Sequence, residues 1–419
     1  LENDCVAAIP AFLDVAGDIV AALRRRGGLA VISIDLAELE RVERSFGPAA
    51  YDAVRAQIDP LMVEVRERAR PDDILACDGL DGDRFFLFLT GDRPSGFVAD
   101  EIKRLADRID DLVGPRVARL TLPFSRERTA VHVGHAFVIF SPLANPTRQI
   151  QRLIDEARQS AALRRAVREQ KQREELVEII HNRRIWTAFQ PIVEIEGRKV
   201  MGHEALARGP RGTELEPPTN LFAQAARHGL LEELERSCRQ QSFQDWDAFG
   251  GVGRLFINTI PATVRDPSFA GRGIIDALGP NLSPRLVTLE ITERQVIENL
   301  NLYREAMHSF LDMGFTFAID DLGAGYSGLE TLVNLGASYL KIDMGLVRDV
   351  HQKHISQQVV RAIADMGAAV RATVIAEGIQ TQEEAAALLG LGVRFGQGYL
   401  FGRPVDVQSA RMAASARGV

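Results

Sequence analysis

Cysteine is scarce in this chain: Cys5, Cys77 and Cys238 are the only three in 419 residues, and they stand far apart. That spacing excludes a zinc site built on cysteine pairs. It leaves ordinary reduced thiols, which suits the cytoplasm. No apolar run reaches the length of a membrane span. Positive charge is not in excess either: 50 Lys and Arg face 57 Asp and Glu, a formal net charge of -7. Nothing there favours a general DNA or RNA binder, while a local anion site stays compatible with it. The chain opens on Leu1 and not on Met. Leu1-Glu2 reads as a cloning scar at the head of a fragment. What is present is a 46% hydrophobic and 26% charged composition, that of a soluble globular protein with sizeable cores. The length sets an expectation of two domains.

Residues 3–26 read as a helix stopped by Arg24-Arg25-Arg26 and Gly27-Gly28. An apolar β-type run follows, LAVISIDL, with Asp35 near its end. Helical stretches are expected over 38–44 and 49–69. Two strand-like runs, 73–76 and 84–89, flank Asp81-Gly82-Asp83, which is a hairpin signature. A helix over 98–112 and a strand over 129–140 complete one α/β domain, residues 1–146. The segment 147–184 has no Gly or Pro and is rich in Ala, Leu, Glu, Gln and Arg. It reads as a long helical linker, broken at most once.

The second half, 185–419, holds eight β-type runs, most of them separated by helical stretches. Runs this apolar suit strands buried on both faces. Eight of them over roughly 230 residues predict a TIM-type (β/α)8 barrel. Only Glu196-Gly197-Arg198-Lys199 separates the first two runs. That is hairpin spacing, so one strand is expected to be antiparallel and the barrel irregular. Polar residues stand late in these runs: Glu204, Asn258, Glu290, Asp320 with Asp321, Lys341 with Asp343, Glu377 and Gln397. Acids and amides are costly to bury unless paired or bound to metal. At carboxyl-terminal strand ends of a barrel they converge on one mouth. Three carboxylates and an amide make an all-oxygen ligand set for Mg²⁺ or Mn²⁺. Asp321 is placed to hold a second ion, and two ions can activate a water for in-line attack at phosphorus. Singly, each residue is as well explained by a salt bridge or a satisfied backbone group. Acids at five separate strand ends are not.

These blocks resemble the EAL family of cyclic di-GMP phosphodiesterases, from about Phe189 to Pro404. The matching residues, in the family's order, are Glu204-Ala205-Leu206, Asn258 in FINTI, Glu290-Ile291-Thr292-Glu293, Asp320-Asp321-Leu322-Gly323, Lys341-Ile342-Asp343, Ala376-Glu377-Gly378 and Gln397-Gly398-Tyr399. The resemblance implies that Glu204, Asn258, Glu290, Asp320 and Asp321 hold two Mg²⁺ or Mn²⁺ ions, with Ca²⁺ inhibitory. It implies that Lys341, Glu377 and Gln397 surround the attacking water. It makes Gln190, Leu206, Arg208 and Asp343 substrate contacts and Glu293 the anchor of the loop after Asp321. That loop is a dimer element in the family, so a homodimer is implied. The product would be linear pGpG. The rival reading is a non-catalytic cyclic di-GMP receptor, and such receptors typically lack several of these ligands. One departure stands out: Gln380 replaces an acid often found after the Glu-Gly pair.

The first half resembles a GGDEF domain, the nucleotidyl cyclase-like fold that makes cyclic di-GMP from GTP. Its signature stands here as Asp81-Gly82-Asp83-Arg84-Phe85, with Asp35 at a metal position. Arg84 replaces a needed acid and repels Mg²⁺. Asp81 replaces a glycine and adds negative charge beside the phosphates, and Glu43 replaces a guanine-reading Asn. The resemblance therefore implies a degenerate domain without cyclase activity, with GTP as a possible ligand at the remnant site. Arg70 and Asp73 match the family's inhibitory cyclic di-GMP motif, and a plain Arg and Asp in a turn explain them equally well.

Overall fold

The computed structural model describes residues 9–36, 39–79, 83–91, 99–121, 124, 131–260, 272–278, 282–292, 307–323 and 336–416. The chain divides into two compact units, Leu1–Arg173 and Glu174–Val419.

The first unit carries four strands: β1 (Gly28–Asp35), β2 (Ile74–Cys77), β3 (Arg84–Phe88) and β4 (His132–Ile139). They form one sheet in the order β2-β3-β1-β4, and every pairing is antiparallel. This is the split β-α-β-β-α-β arrangement. Helix Phe12–Arg26 starts later than expected, because Ala11 is extended and bridges to Cys77. It ends as expected, with Gly27 left-handed and its N–H bonded to Leu23 O. The helix expected over 98–112 runs on as Ala99–Thr121, through Pro115.

The linker is a single unbroken helix, Pro146–His181. Its first half belongs to the first unit. Gly134 on β4 lets it approach so closely that a Cβ there would lie 2.2 Å from Ala157 O. Arg164 and Arg168 then pair with Asp107 and Asp110 on helix Ala99–Thr121. These contacts dock the helix on the first unit as far as Arg168. Leu176 and Ile179 at its far end join a cluster with Leu221, Leu230 and Leu234 of the second unit.

The second unit is a closed barrel of β5 (Trp186–Glu194), β6 (Val200–Arg208), β7 (Arg254–Asn258), β8 (Val287–Thr292), β9 (Thr316–Leu322), β10 (Tyr339–Ile342), β11 (Thr373–Ala376) and β12 (Phe395–Gln397). β5 is antiparallel to both of its neighbours, β6 and β12. Between β6 and β7 run two helices, Pro218–Arg227 and Leu231–Phe249, separated at Gly229 with φ +66°. Inside the barrel, Ile192, Phe256, Ala318, Tyr339 and Ile375 form an apolar layer. Side chains two residues apart on a strand share a face. The next inward positions above that layer are therefore Gln190, Asn258, Asp320, Lys341 and Glu377. The apolar plug is the floor of a polar layer.

Candidate active site

Lys341 is the centre of that polar layer. It is fully buried, and its Nζ lies 2.6 Å from Glu377 Oε1, 2.8 Å from Glu290 Oε1, 3.3 Å from Asp320 Oδ1 and 3.5 Å from Glu204 Oε2. Around it, Gln397 Nε2 donates to Glu204 Oε2 at 2.7 Å and to Gln190 Oε1 at 3.0 Å. Asn258 Nδ2 donates to Glu204 Oε1 at 3.0 Å. Four strands and the loop leaving a fifth thus deliver four carboxylates and one ammonium to a single point.

Asp321 solves a geometric problem. Adjacent strand residues point to opposite faces, yet both acids are needed at the mouth. The backbone at Asp321 is left-handed, φ +59°, a conformation that costs a non-glycine residue about 1–3 kcal/mol. The pairing of β9 with β10 shifts register at the same place. The twist brings a carboxylate oxygen of Asp321 within 4.8 Å of ligand atoms of Asp320 and Glu377. A second group, Glu204, Glu290 and Asp320, meets the same spacing. The two groups share Asp320.

The charge does not balance: five carboxylates face one ammonium. Burial pushes Glu290 well above the usual carboxylate range, and Glu204 and Asp320 add to it against the opposing pull of Lys341. Burial likewise raises Asp320 and Asp321, and it lifts Glu377 to about 8. Burial acts to raise Glu204 too, but Lys341 and the Gln397 and Asn258 amides outweigh it and hold this acid low. Lys341 is pushed up: its burial disfavours the charge, and the surrounding acids more than offset that. Glu290 Oε2 and Gln397 Oε1 are buried without a hydrogen-bond partner among the described residues. Uncompensated negative charge, orphaned oxygens and an all-oxygen donor set fit divalent cations of the Mg²⁺ class.

The remaining expected residues are placed as follows. Gln190 lies in the layer and also donates to Gly402 O at 3.1 Å. Leu206, Arg208, Phe222, Ile257, Asn258 and Ile260 line part of a cavity of about 360 Å³ beside the mouth. Asp343 does not join the cluster around Lys341; its Oδ1 accepts from Gly345 N at 2.8 Å and caps the turn Met344–Val347. Glu293 and the loop residues after Gly323 lie outside the described residues. Glu384, which the sequence reading passed over, is 1% exposed beside the Glu377 loop. Its position three residues after Thr381 was the available signal.

In the first unit, Arg84 Nε donates to Asp35 Oδ2 at 3.2 Å. Its Nη1 lies 3.8 Å from Asp78 Oδ2, which Arg158 of the long helix also reaches. Tyr51 donates to Asp83 at 2.6 Å. Glu43 is exposed, and Asp81 lies outside the described residues. Asp73 is 2% exposed. Both its oxygens are held by backbone N–H groups, from Gly91 at 2.8 Å and Arg70 at 3.1 Å. These bonds anchor the turn. Arg70 and Asp73, the pair expected as a nucleotide site, both line a cleft of about 750 Å³ together with Arg68, Arg104 and Arg108.

Comparison with protein families matches the EAL domain over residues 171–404. The chain belongs to the EAL domain family. Among curated proteins, it is 40% identical over 154 residues to "Probable cyclic di-GMP phosphodiesterase PdeA" of Escherichia coli, covering 36% of this chain and 21% of that one. It is 27% identical over 434 residues to "Bifunctional diguanylate cyclase/cyclic di-GMP phosphodiesterase MucR" of Pseudomonas aeruginosa, covering 93% of this chain and 58% of that one. A solved structure described as "PaMucR Phosphodiesterase, c-di-GMP complex" superposes with TM-score 0.50 at 27% identity, over 57% of this chain and 99% of that one. The chain spans under a third of the first curated relatives it matches. No helix among the described residues is long and apolar enough to cross a membrane.

Proposed function

We propose that the EAL barrel hydrolyses cyclic di-GMP to linear pGpG with Mg²⁺ or Mn²⁺, and that the first unit is a GGDEF-like domain without cyclase activity. The observation that carries the first part is the charge imbalance around Lys341. Glu204, Asn258, Glu290, Asp320 and Asp321 would hold two ions, which supply Lewis-acid polarisation and a water acidic enough to attack at neutral pH. Lys341 places a fixed positive charge where negative charge grows on a phosphoryl oxygen. Glu377, beside Lys341, can accept a proton from that water when its carboxyl is ionised. The orphaned Gln397 Oε1 is an acceptor ready to orient a water. Ca²⁺ takes the same donors in looser geometry and is expected to inhibit. The names of the phosphodiesterase relatives support the substrate.

Arg84 carries the second part, because it occupies Asp35 with a covalently tethered cation. The resemblance further gives this unit a regulatory role, with GTP or cyclic di-GMP as its ligand, in a cytoplasmic homodimer. Incubating the purified chain with cyclic di-GMP and Mg²⁺, followed by nucleotide chromatography, tests the first part. Linear pGpG is the expected product. Intact cyclic di-GMP with retained binding would point to a receptor instead.

A further inference from the structure

Glu377 does not sit on a rigid strand. It is the first residue after β11, at the head of the loop 377–381 that leads into helix Gln382–Gly390. Lys341 precedes the neighbouring loop, 343–350, by two residues. The 2.6 Å separation of Lys341 Nζ and Glu377 Oε1 therefore depends on how these two loops are held together. Their backbones bond directly only at the base, where Glu377 N donates to Ile342 O at 3.1 Å.

Above that base the contact is made by one buried side chain. Glu384 Oε2 accepts from Gln380 N at 2.8 Å and from Thr381 N at 3.1 Å. Its Oε1 reaches across and accepts from Asp349 N at 3.0 Å, in the other loop. A capping box explains only the bond to Thr381 and its reciprocal, Glu384 N donating to Thr381 Oγ1. The bonds to Gln380 and Asp349 exceed what a cap requires. Asp349 is also left-handed, φ +55°, a conformation that persists only where its surroundings enforce it. Gly378, φ +68°, sits so close to the other loop that a Cβ there would lie 2.5 Å from Met344 Cβ. On the outside, Arg348 Nη1 donates to Gln380 Oε1 at 2.9 Å, a second and exposed tie between the same loops. Burial alone would raise the Glu384 carboxyl, and the backbone donors with Arg348 nearby hold it below the usual range.

We propose that Glu384 is a positioning residue for the barrel's reaction, clamping the loop that carries Glu377 to the loop that follows Lys341. It touches neither substrate nor metal, and its effect on chemistry passes through Glu377. The inference rests on the phosphodiesterase reading for its kinetic consequence. The clamp itself is a structural claim that can be read without activity. Gln380 fits the same picture: it keeps the tie to Arg348 as a neutral hydrogen bond.

The test compares Glu384→Ala, Glu384→Gln and Thr381→Ala with the unaltered chain. Thr381→Ala removes the cap hydroxyl but leaves the bonds to Asp349 and Gln380 in place. The measurements are kcat and KM for cyclic di-GMP per folded molecule, Tm, and hydrogen exchange at the amides of Asp349 and Gln380. Misplacing a catalytic group by about 1 Å can lower a rate about 100-fold. Glu384→Ala is expected to lose kcat on that order with KM within about twofold, and to lose protection at both amides. Glu384→Gln keeps one acceptor oxygen and should fall between. Thr381→Ala should lower Tm while keeping kcat and amide protection. Unchanged kcat in a folded Glu384→Ala protein, or an equal kcat loss in Thr381→Ala, overturns the proposal. If the unaltered chain releases no pGpG, the phosphodiesterase reading fails, and the exchange data alone decide whether Glu384 clamps the loops. Protection retained at Asp349 in Glu384→Ala refutes the clamp in that case too.

Discussion

The two units each bring a buried or half-buried cation among carboxylates, and the outcome differs because the counts differ. In the barrel, Lys341 faces Glu204, Glu290, Asp320 and Glu377, with Asp321 nearby, so negative charge remains after every ion pair is counted. In the first unit, Arg84 and Arg158 share Asp35 and Asp78. In the proposed function a divalent ion enters the first arrangement and not the second. The residue proposed to make that difference is Arg84, whose guanidinium already pairs with Asp35.

The largest effect is expected in the barrel. Glu204→Ala removes an oxygen donor from the site. Loss of several kcal/mol of transition-state stabilisation corresponds to a fall of about 1,000-fold or more in kcat. Substantial hydrolysis of cyclic di-GMP by a well-folded Glu204→Ala chain would break the metal assignment. Next comes Lys341→Met, which leaves the acids without their buried partner. Breaking such a web is expected to cost about 3–5 kcal/mol in chelator, and Mn²⁺ should restore part of it. Denaturant unfolding with and without Mn²⁺ checks this, and equal stability of Lys341→Met and the unaltered chain in chelator would count against the web.

A smaller effect sharpens the other side of the comparison. With hydrolysis disabled by Glu204→Ala, incubation with GTP and Mg²⁺ should yield no cyclic di-GMP. Adding Arg84→Glu should give the first unit weak Mn²⁺ binding that it otherwise lacks. Accumulating cyclic di-GMP without Arg84→Glu would overturn the degenerate reading. The smallest effect concerns acid. Glu384 is held below the usual range when folded, so its contribution to stability is present above its unfolded pKa and is lost as pH falls through the folded value. Stability of the unaltered chain should therefore drop more steeply through the acid range than that of Glu384→Gln, and parallel curves would remove this term.

Much of the barrel was legible in its residues. Asn258, Lys341 and Glu377 stand in or just after apolar runs, and a period of two puts them directly above Phe256, Tyr339 and Ile375 in the layer below. The short Glu196–Lys199 turn also announced the antiparallel β5. Three things were not legible. The left-handed twist at Asp321 is a backbone state that an aspartate does not advertise. Strand order in the first unit depends on which edges meet, and alternating helices and strands are compatible with either a parallel or an antiparallel sheet. Glu384 was passed over because spacing shows only local partners, and Asp349, which decides its role, is 35 residues away.

The central claim is that surplus negative charge makes the barrel, and not the first unit, the seat of the divalent ions. Calorimetric titration of the chelator-treated chain with Mn²⁺ tests it most directly, run beside a chain carrying Glu204→Ala with Asp320→Ala. The account predicts binding by the unaltered chain that disappears in the double variant. Mn²⁺ binding that survives both substitutions undiminished would contradict it.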